Sequence, residues 1–312
     1  MARTLVTGGA GFIGSHIATK LVELGHHVRV FDDLSSGKRS NLAHLGDRVE
    51  FIQSDMRDAQ ACLDACEGIE FVFHEAALPS VPKSIDQPVP SHEANINGTF
   101  NFLMAARQQE VRRFIYAGSS SAYGDSEISP KHEGLPPAPL SPYAVQKLTG
   151  EHYASAFHHA WGLQTLTIRY FNVFGARQDP DSAYAAAIPA FVSNILKGEA
   201  PTVFGDGEQT RDFTHVDNVV HGNMLAMQAA RTCGEVVNVA CGGQITINQV
   251  IAEINRMLGT DVRPKYVSPR PGDILHSCAD ISRAKKVLGY TPLLNFGEGL
   301  ERTIEYYKSL PA

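Results

Sequence analysis

Short apolar runs alternate with segments of helical length through the first half of this chain. Thr4-Leu-Val-Thr7, His27-Val-Arg-Val-Phe-Asp32, Val49-Glu-Phe-Ile-Gln53, Glu70-Phe-Val-Phe-His74, Arg113-Phe-Ile-Tyr-Ala117 and Leu163-Gln-Thr-Leu-Thr-Ile-Arg169 each read as a strand. Helices are expected from Gly14 to Leu24, around Thr99 to Gln109, and after Ser141. This βαβ alternation predicts an α/β fold, a doubly wound parallel sheet with helices on both faces. After Tyr170 glycine and proline become frequent, and long loops are expected around Asp179, Gly205 to Gln209 and Pro269 to Asp273. The apolar stretch Val219 to Met227 and the strand Glu235-Val-Val-Asn-Val-Ala240 are expected to rejoin the sheet. The expected organisation is a sheet domain over 1–170, rejoined by about 213–242, with 171–212 and 243–312 forming a smaller, discontinuous C-terminal substrate domain.

At 312 residues the chain is long enough for one large or two modest cores. A net charge of −6 argues against nucleic acid as a partner, which would select a basic surface. No apolar run reaches about 18 residues, so no membrane span is expected. Leu5-Val6 runs straight into a glycine-rich turn, without the apolar stretch of a secretory signal. Five scattered cysteines, Cys62, Cys66, Cys233, Cys241 and Cys278, fit reduced thiols in the cytoplasm rather than a disulfide framework. No Cys/His ligand set completes a zinc site, so no metal is expected.

Gly8, Gly11 and Gly14 fall between the first strand and the first helix, as G-x-x-G-x-x-G. Glycines there let the backbone approach a pyrophosphate, and the helix N-terminus offers free N–H groups to its oxygens. Asp32 closes the second strand, where a carboxylate can bind a ribose diol. That carboxylate repels a 2′-phosphate, which favours NAD over NADP, although Lys38 and Arg39 stand nearby. These features predict a Rossmann-type, NAD-binding sheet domain. Asp55 and Met56, after the third strand, are candidates for adenine contact, with a helix cap as the plainer role for this segment.

Tyr143 and Lys147 stand four residues apart in Ser141-Pro-Tyr-Ala-Val-Gln-Lys147, with Ser141 as a candidate N-cap and Pro142 in the first turn. On a helix that spacing puts phenol and ammonium on one face. A cation beside a tyrosine favours the phenolate, so Lys147 is expected to lower the Tyr143 pKa and make it a general base.

Thr7-Gly-Gly-Ala-Gly-Phe-Ile-Gly14, His74-Glu-Ala-Ala77, Ser119-Ser-Ser-Ala-Tyr-Gly124, Tyr143-x-x-x-Lys147, Arg169-Tyr-Phe-Asn172 and Arg270-Pro-Gly-Asp273 follow one another along the chain. In these motifs the chain resembles the extended short-chain dehydrogenase/reductases, specifically the nucleotide-sugar epimerases, and among them the bacterial UDP-N-acetylglucosamine 4-epimerases. The resemblance implies that Tyr143 takes the proton of the sugar 4-hydroxyl while hydride leaves C4, with Lys147 on the nicotinamide ribose and Ser119 on the reacting oxygen, Ser121 beside it. It places Gly8, Gly11, Phe12, Ile13, Gly14, Asp32, Asp55, Met56, Ala76, Tyr143, Lys147 and Phe171 around NAD. Related 4,6-dehydratases carry an Asp-Glu pair, and decarboxylases a Glu, where this chain has Ser120 and Ser121. Neither hydroxyl can do a carboxylate's acid/base work near neutral pH, which leaves oxidation and return of hydride.

For the nucleotide sugar, the resemblance implies Arg211 and Arg270 on the diphosphate with Asn172, Asp273 on the uridine ribose, Phe204 on uracil, and Lys83 and Ser120 toward the sugar. Ser277 stands where a tyrosine in the family excludes N-acetyl groups. A small residue there implies interconversion of UDP-GlcNAc and UDP-GalNAc, with UDP-Glc and UDP-Gal as further substrates. Alternatives are a plain UDP-glucose 4-epimerase, a UDP-glucuronate 4-epimerase, and a non-catalytic NAD-binding sensor. The resemblance also implies a homodimer formed through the Thr99 and Tyr143 helices.

Overall fold

A computed structural model describes residues 1–180, 187–269 and 275–310. The first half runs β1 (Arg3–Thr7), α1 (Phe12–Glu23), β2 (His27–Asp32), β3 (Val49–Gln53), α2 (Ala59–Ala65), β4 (Phe71–His74), α3 (Val81–Asp86), α4 (Pro88–His92), α5 (Thr99–Gln108), β5 (Arg113–Ser119), α6 (Pro142–Trp161) and β6 (Gln164–Tyr170). The second half follows as β7 (Val173–Phe174), α7 (Ala187–Leu196), β8 (Thr202–Phe204), β9 (Thr210–Arg211), β10 (Thr214–His215), α8 (Val216–Gln228), β11 (Glu235–Val239), β12 (Ile245–Thr246), α9 (Ile247–Leu258), β13 (Lys265–Val267), α10 (Ser282–Leu288) and α11 (Phe296–Ser309).

Seven strands form one parallel sheet in the order β11-β6-β5-β4-β1-β2-β3. This is the Rossmann-type, doubly wound order, and its direction reverses between β1 and β4. Neighbouring residues along each inner strand enter opposite cores, because side chains alternate across a strand. Leu5, Val72 and Phe114 pack with Phe102 of α5 and Phe157 of α6 on one face. Val6, Phe73 and Ile115 pack with Ile17 of α1 and Val219 of α8 on the other. Burial on both faces explains why these strands read as continuous apolar runs rather than alternating ones.

The chain returns to the sheet late. The apolar stretch within 216–228 forms α8, which packs on α1. β11 then pairs with β6 from Glu235↔Leu166 to Val239↔Tyr170. A separate core lies in the smaller body, where Phe191 and Val192 of α7, Val203 of β8, Ile251 of α9 and Ile304 of α11 meet. Two short pairings, β8 with β13 and β9 with β12, hold its loops.

Helix α1 begins at Phe12, earlier than the sequence pattern indicates, because Gly11 takes the extended cap conformation. β5 runs on to Ser119, which makes that serine the last residue of a central strand.

Candidate active site

The C-terminal edge of the sheet is where an open α/β sheet binds its ligand, at the reversal of strand order. Gly8 leaves β1 with φ of +66°, a region that favours glycine. A Cβ on Gly8 would stand 2.8 Å from the Cα and N of Ala76, so the turn lies directly on the backbone after β4. A Cβ on Gly14 would collide with the Gly8 carbonyl, which lets α1 press against the turn. Gly11 caps α1 without a side-chain hydrogen bond, and Phe12 and Ile13, both half-buried, open its first turn. The helix start therefore keeps backbone donors available for an anion.

Asp32 lies against this turn. Ala10 N donates to its Oδ2 at 2.9 Å and Leu34 N to its Oδ1 at 2.8 Å. The carboxylate is buried, and that burial pushes its pKa up. The two nearby cations are engaged elsewhere: Lys38 Nζ pairs with Asp179 at 2.9 Å, and the Arg39 guanidinium lies over the Phe51 ring. A glycine cradle against a helix start, with a carboxylate rather than a free cation at the end of β2, fits the dinucleotide NAD.

Two cofactor candidates have side chains packed in the core. The Met56 side chain is buried in the core with Phe31 and Phe102, and Gly98 packs against it. The Phe171 ring is wholly buried against Tyr123, at 6.0 Å between centroids. Asp55 is held by Arg57, whose Nε donates to both carboxylate oxygens at 3.0 and 2.9 Å. That guanidinium holds the Asp55 carboxyl below the usual range. The cap of α2 is Asp58, which accepts from Gln60 N and Ala61 N, so the cap role belongs to it and not to Asp55.

Tyr143 and Lys147 take the helical positions their spacing requires. Ser141 Oγ caps α6 by accepting from Ala144 N at 3.2 Å, and Pro142 occupies the first turn. Tyr143 N donates to Ser84 Oγ at 3.1 Å, which joins α6 to α3, the helix that carries the half-buried Lys83. Ser119, at the end of β5, is the group that draws the Tyr143 phenol toward a lower pKa. Ser119 Oγ lies 2.8 Å from Ser121 Oγ and accepts from Ser121 N at 3.2 Å. Ser120 is half-buried at the start of the same short turn.

Lys147 is buried, with Nζ 4.5 Å above the ring of Tyr116, whose hydroxyl donates to the Lys147 carbonyl. Tyr116 can approach so closely because α6 has Gly150 there, where a Cβ would strike the phenol. Burial acts on both groups. It pushes Tyr143 up to about 12; Ser119 opposes this, and Glu75 adds to it. Burial pulls Lys147 down to about 8, with Glu75 opposing. Desolvation is the largest influence on both groups.

Glu75 went unassigned in the sequence, although it lies within the His74-Glu-Ala-Ala77 motif. The Tyr170 hydroxyl donates to its Oε1 at 2.7 Å, and burial pushes its pKa up to about 7, against that hydrogen bond and Lys147. The available signal was its place, a carboxylate at the end of a central buried strand. His74 beside it is fully buried between Thr7 Oγ1 and Thr99 Oγ1, at 2.9 and 3.0 Å, and burial pulls it down to about 3.

A second group of candidates lies on the smaller body. Arg211 Nη1 donates to the carbonyls of Thr210 and Leu275, at 2.9 and 3.3 Å. Ser277 N donates to Thr210 O at 3.1 Å, so the Ser277 segment runs beside β9, and Ser277 is only 9% exposed. Phe204 ends β8, half-buried. Asn172, at φ of 34°, reaches from the end of β6 toward β9, its Nδ2 3.5 Å from the Asp212 carbonyl. The Asp212 carboxylate gathers three donors at 3.0 Å, Cys241 N, Gly242 N and Ala279 N. It was not singled out in the sequence, since its partners are remote along the chain. Arg270 and Asp273 lie outside the described residues. Among the described residues no cluster of three His, Cys, Asp or Glu could hold a metal ion, and no helix is long and apolar enough to cross a membrane.

Residues 4–240 match the model of the NAD dependent epimerase/dehydratase family. The chain is 37% identical over 311 residues to a UDP-glucose 4-epimerase of Mycolicibacterium smegmatis, covering 98% of this chain and 99% of that one. Its structure is similar to that of a UDP-N-acetylglucosamine 4-epimerase from Methanobrevibacter ruminantium in complex with UDP-N-acetylmuramic acid, with a TM-score of 0.95, 40% identity, and 99% and 98% of the two chains covered. It is also similar to a Thermus thermophilus UDP-glucose 4-epimerase in complex with NAD, with a TM-score of 0.89, 33% identity, and 98% and 99% covered. With the glycine cradle and Asp32 at the switch point and these likenesses along its whole length, the chain belongs to the NAD-dependent epimerase/dehydratase family, and NAD is its cofactor.

Proposed function

We propose that this chain is a UDP-hexose 4-epimerase that interconverts UDP-GlcNAc and UDP-GalNAc, and also UDP-Glc and UDP-Gal. The observation that carries the reading is the placement of Tyr143 and Lys147 one helical turn apart on α6, with Ser119 at the end of β5 acting on the phenol. When bound, NAD supplies the acceptor for a hydride from the sugar carbon and then the donor that returns it. Gly8, Gly11, Gly14, Asp32 and Ala76 hold that cofactor, and Lys147 takes its nicotinamide ribose.

The Lys147 ammonium favours the phenolate of Tyr143, and in that form Tyr143 removes the proton of the 4-hydroxyl as that carbon is oxidised, and gives it back when the 4-keto sugar is reduced from its other face. Ser119 holds the reacting oxygen, with Ser121 orienting Ser119 across their 2.8 Å contact. Ser120 and Ser121 supply no carboxylate to drive elimination, and Glu75 is engaged by Tyr170. Arg211 and Asn172 bind the diphosphate, Phe204 supports the uracil, and Lys83 and Ser120 reach the sugar. Ser277 leaves the pocket open to a 2-acetamido group.

We also read the chain as a homodimer. Phe100 of α5 and Val145, Tyr153 and Trp161 of α6 are large apolar side chains exposed on two adjacent helices. Their contiguity favours burial against a second copy.

The assay that tests the reading incubates the purified protein with each of the four UDP-hexoses and separates the epimers. Conversion of both N-acetylated sugars supports it, and inactivity on all four contradicts it.

A further inference from the structure

The two walls proposed for the sugar site come from segments far apart in the sequence. One is the turn Ser120–Tyr123 that follows Ser119, and the other is the Ser277 segment. Asn238 of β11 stands between them and is bonded to both sides. Its side chain is wholly enclosed. The Tyr123 hydroxyl donates to its Oδ1 at 2.7 Å, and its Nδ2 donates to the carbonyls of Lys131 and Asp280, at 3.0 and 3.1 Å. A carbonyl can only accept, so the amide NH2 faces those two oxygens and the amide oxygen is left for the phenol.

Each of these ties is itself anchored. The Arg169 guanidinium lies 4.5 Å from the centre of the Tyr123 ring, and its Nη2 donates at 2.6 Å to Glu151, one turn of α6 beyond Lys147. On the other side, Lys131 N donates to Cys278 O at 2.7 Å and Asp280 N to Lys131 O at 2.8 Å. Residue 131 therefore runs along 278–280, directly after Ser277, as β9 runs along Ser277 itself. Asn238 N donates to Glu133 Oε1 at 2.6 Å, which holds the same 131–133 stretch. Core filling alone does not account for an amide there, because an apolar side chain packs without the desolvation cost. A fully bonded amide instead specifies one geometry for the loops it joins.

We propose that Asn238 is a positioning residue for substrate choice, setting the separation between the serine turn on the reacting oxygen and the Ser277 wall on the 2-substituent. The proposal rests on the epimerase reading and adds to it a residue that acts through its neighbours. A sugar that fills the pocket meets a displaced wall before a smaller one does. The N-acetylated substrate is therefore the more sensitive to any change at Asn238.

Asn238→Asp keeps the size and the acceptor for Tyr123, but sets a second acceptor oxygen against the Lys131 and Asp280 carbonyls. In this variant kcat/KM should fall about fivefold further for UDP-GlcNAc than for UDP-Glc, chiefly through KM. Tyr123→Phe deletes only the bond from the serine side, so it should move the ratio of the two the same way by less. NAD content, read by absorbance after denaturation, shows that each variant retains an assembled site. An unchanged ratio in both NAD-loaded variants overturns the proposal, as does an equal fall on both sugars, which a merely structural role would give. Where Asn238→Asp does not load NAD, Tyr123→Phe alone decides. If the wild type epimerises nothing, the epimerase reading fails. Calorimetric Kd values for UDP-GlcNAc and UDP-Glc, compared between wild type and variants, then decide whether Asn238 governs the discrimination.

Discussion

Ser277 is almost fully enclosed beside β9, with its backbone tied to Thr210 and Arg211 one residue further on. Such a position offers little slack, and added bulk there must enter either the protein or the sugar pocket. Ser277→Tyr should therefore reduce turnover of UDP-GlcNAc at least tenfold while UDP-Glc changes by less than about threefold, on the scale of discrimination that pocket volume supplies. Equal loss on both substrates, measured as kcat/KM for each, would remove Ser277 from the specificity account. At this scale the Tyr143–Lys147 pair was legible, because helical spacing alone puts the two side chains on one face. Glu75 was not, because its meaning depends on Tyr170, 95 residues further along the chain. The burial of Met56 and Phe171 was not legible for a related reason. A motif gives a residue's place along the backbone but not whether its side chain turns toward ligand or core. The protonation states were also out of reach, since burial sets them and burial is a property of the packed molecule.

Among the elements, the long strands were readable to within a residue or two, because each is an apolar run bounded by turns. The two-residue strands β9 and β12 have no period to detect, yet β9 carries Arg211. What holds that region is Asp212, whose carboxylate accepts from the backbone of 241, 242 and 279 and so ties β9 to the loop after β11 and to the Ser277 segment. Asp212→Asn turns one acceptor into a donor facing N–H groups and leaves at least one of them unsatisfied. The cost should be about 1–3 kcal/mol in unfolding free energy, measured by denaturant titration. With both walls loosened, KM for the UDP-sugar should rise severalfold more than kcat falls. An unchanged KM would show that this carboxylate supports the fold without shaping the substrate side.

For the whole molecule, alternating strands and helices gave the parallel sheet, and the glycine turn located its ligand-binding edge. The late return of β11 to the sheet was readable as an apolar run, but its partner β6 follows only from the folded order. Assembly belongs to this scale too. Val145→Arg on the exposed face of α6 should convert a dimer to a monomer, seen as halved mass in sedimentation equilibrium, and a monomeric wild type would remove the proposed interface. The central claim is that Tyr143 exchanges the proton of a sugar 4-hydroxyl. Its most direct measurement compares wild type and Tyr143→Phe, both assayed for NAD content, in conversion of UDP-GlcNAc to UDP-GalNAc. The account predicts steady conversion by the wild type and a loss of at least about a hundredfold in the NAD-loaded variant, in line with the removal of a general base. An NAD-loaded Tyr143→Phe protein that epimerises at the wild-type rate would contradict it.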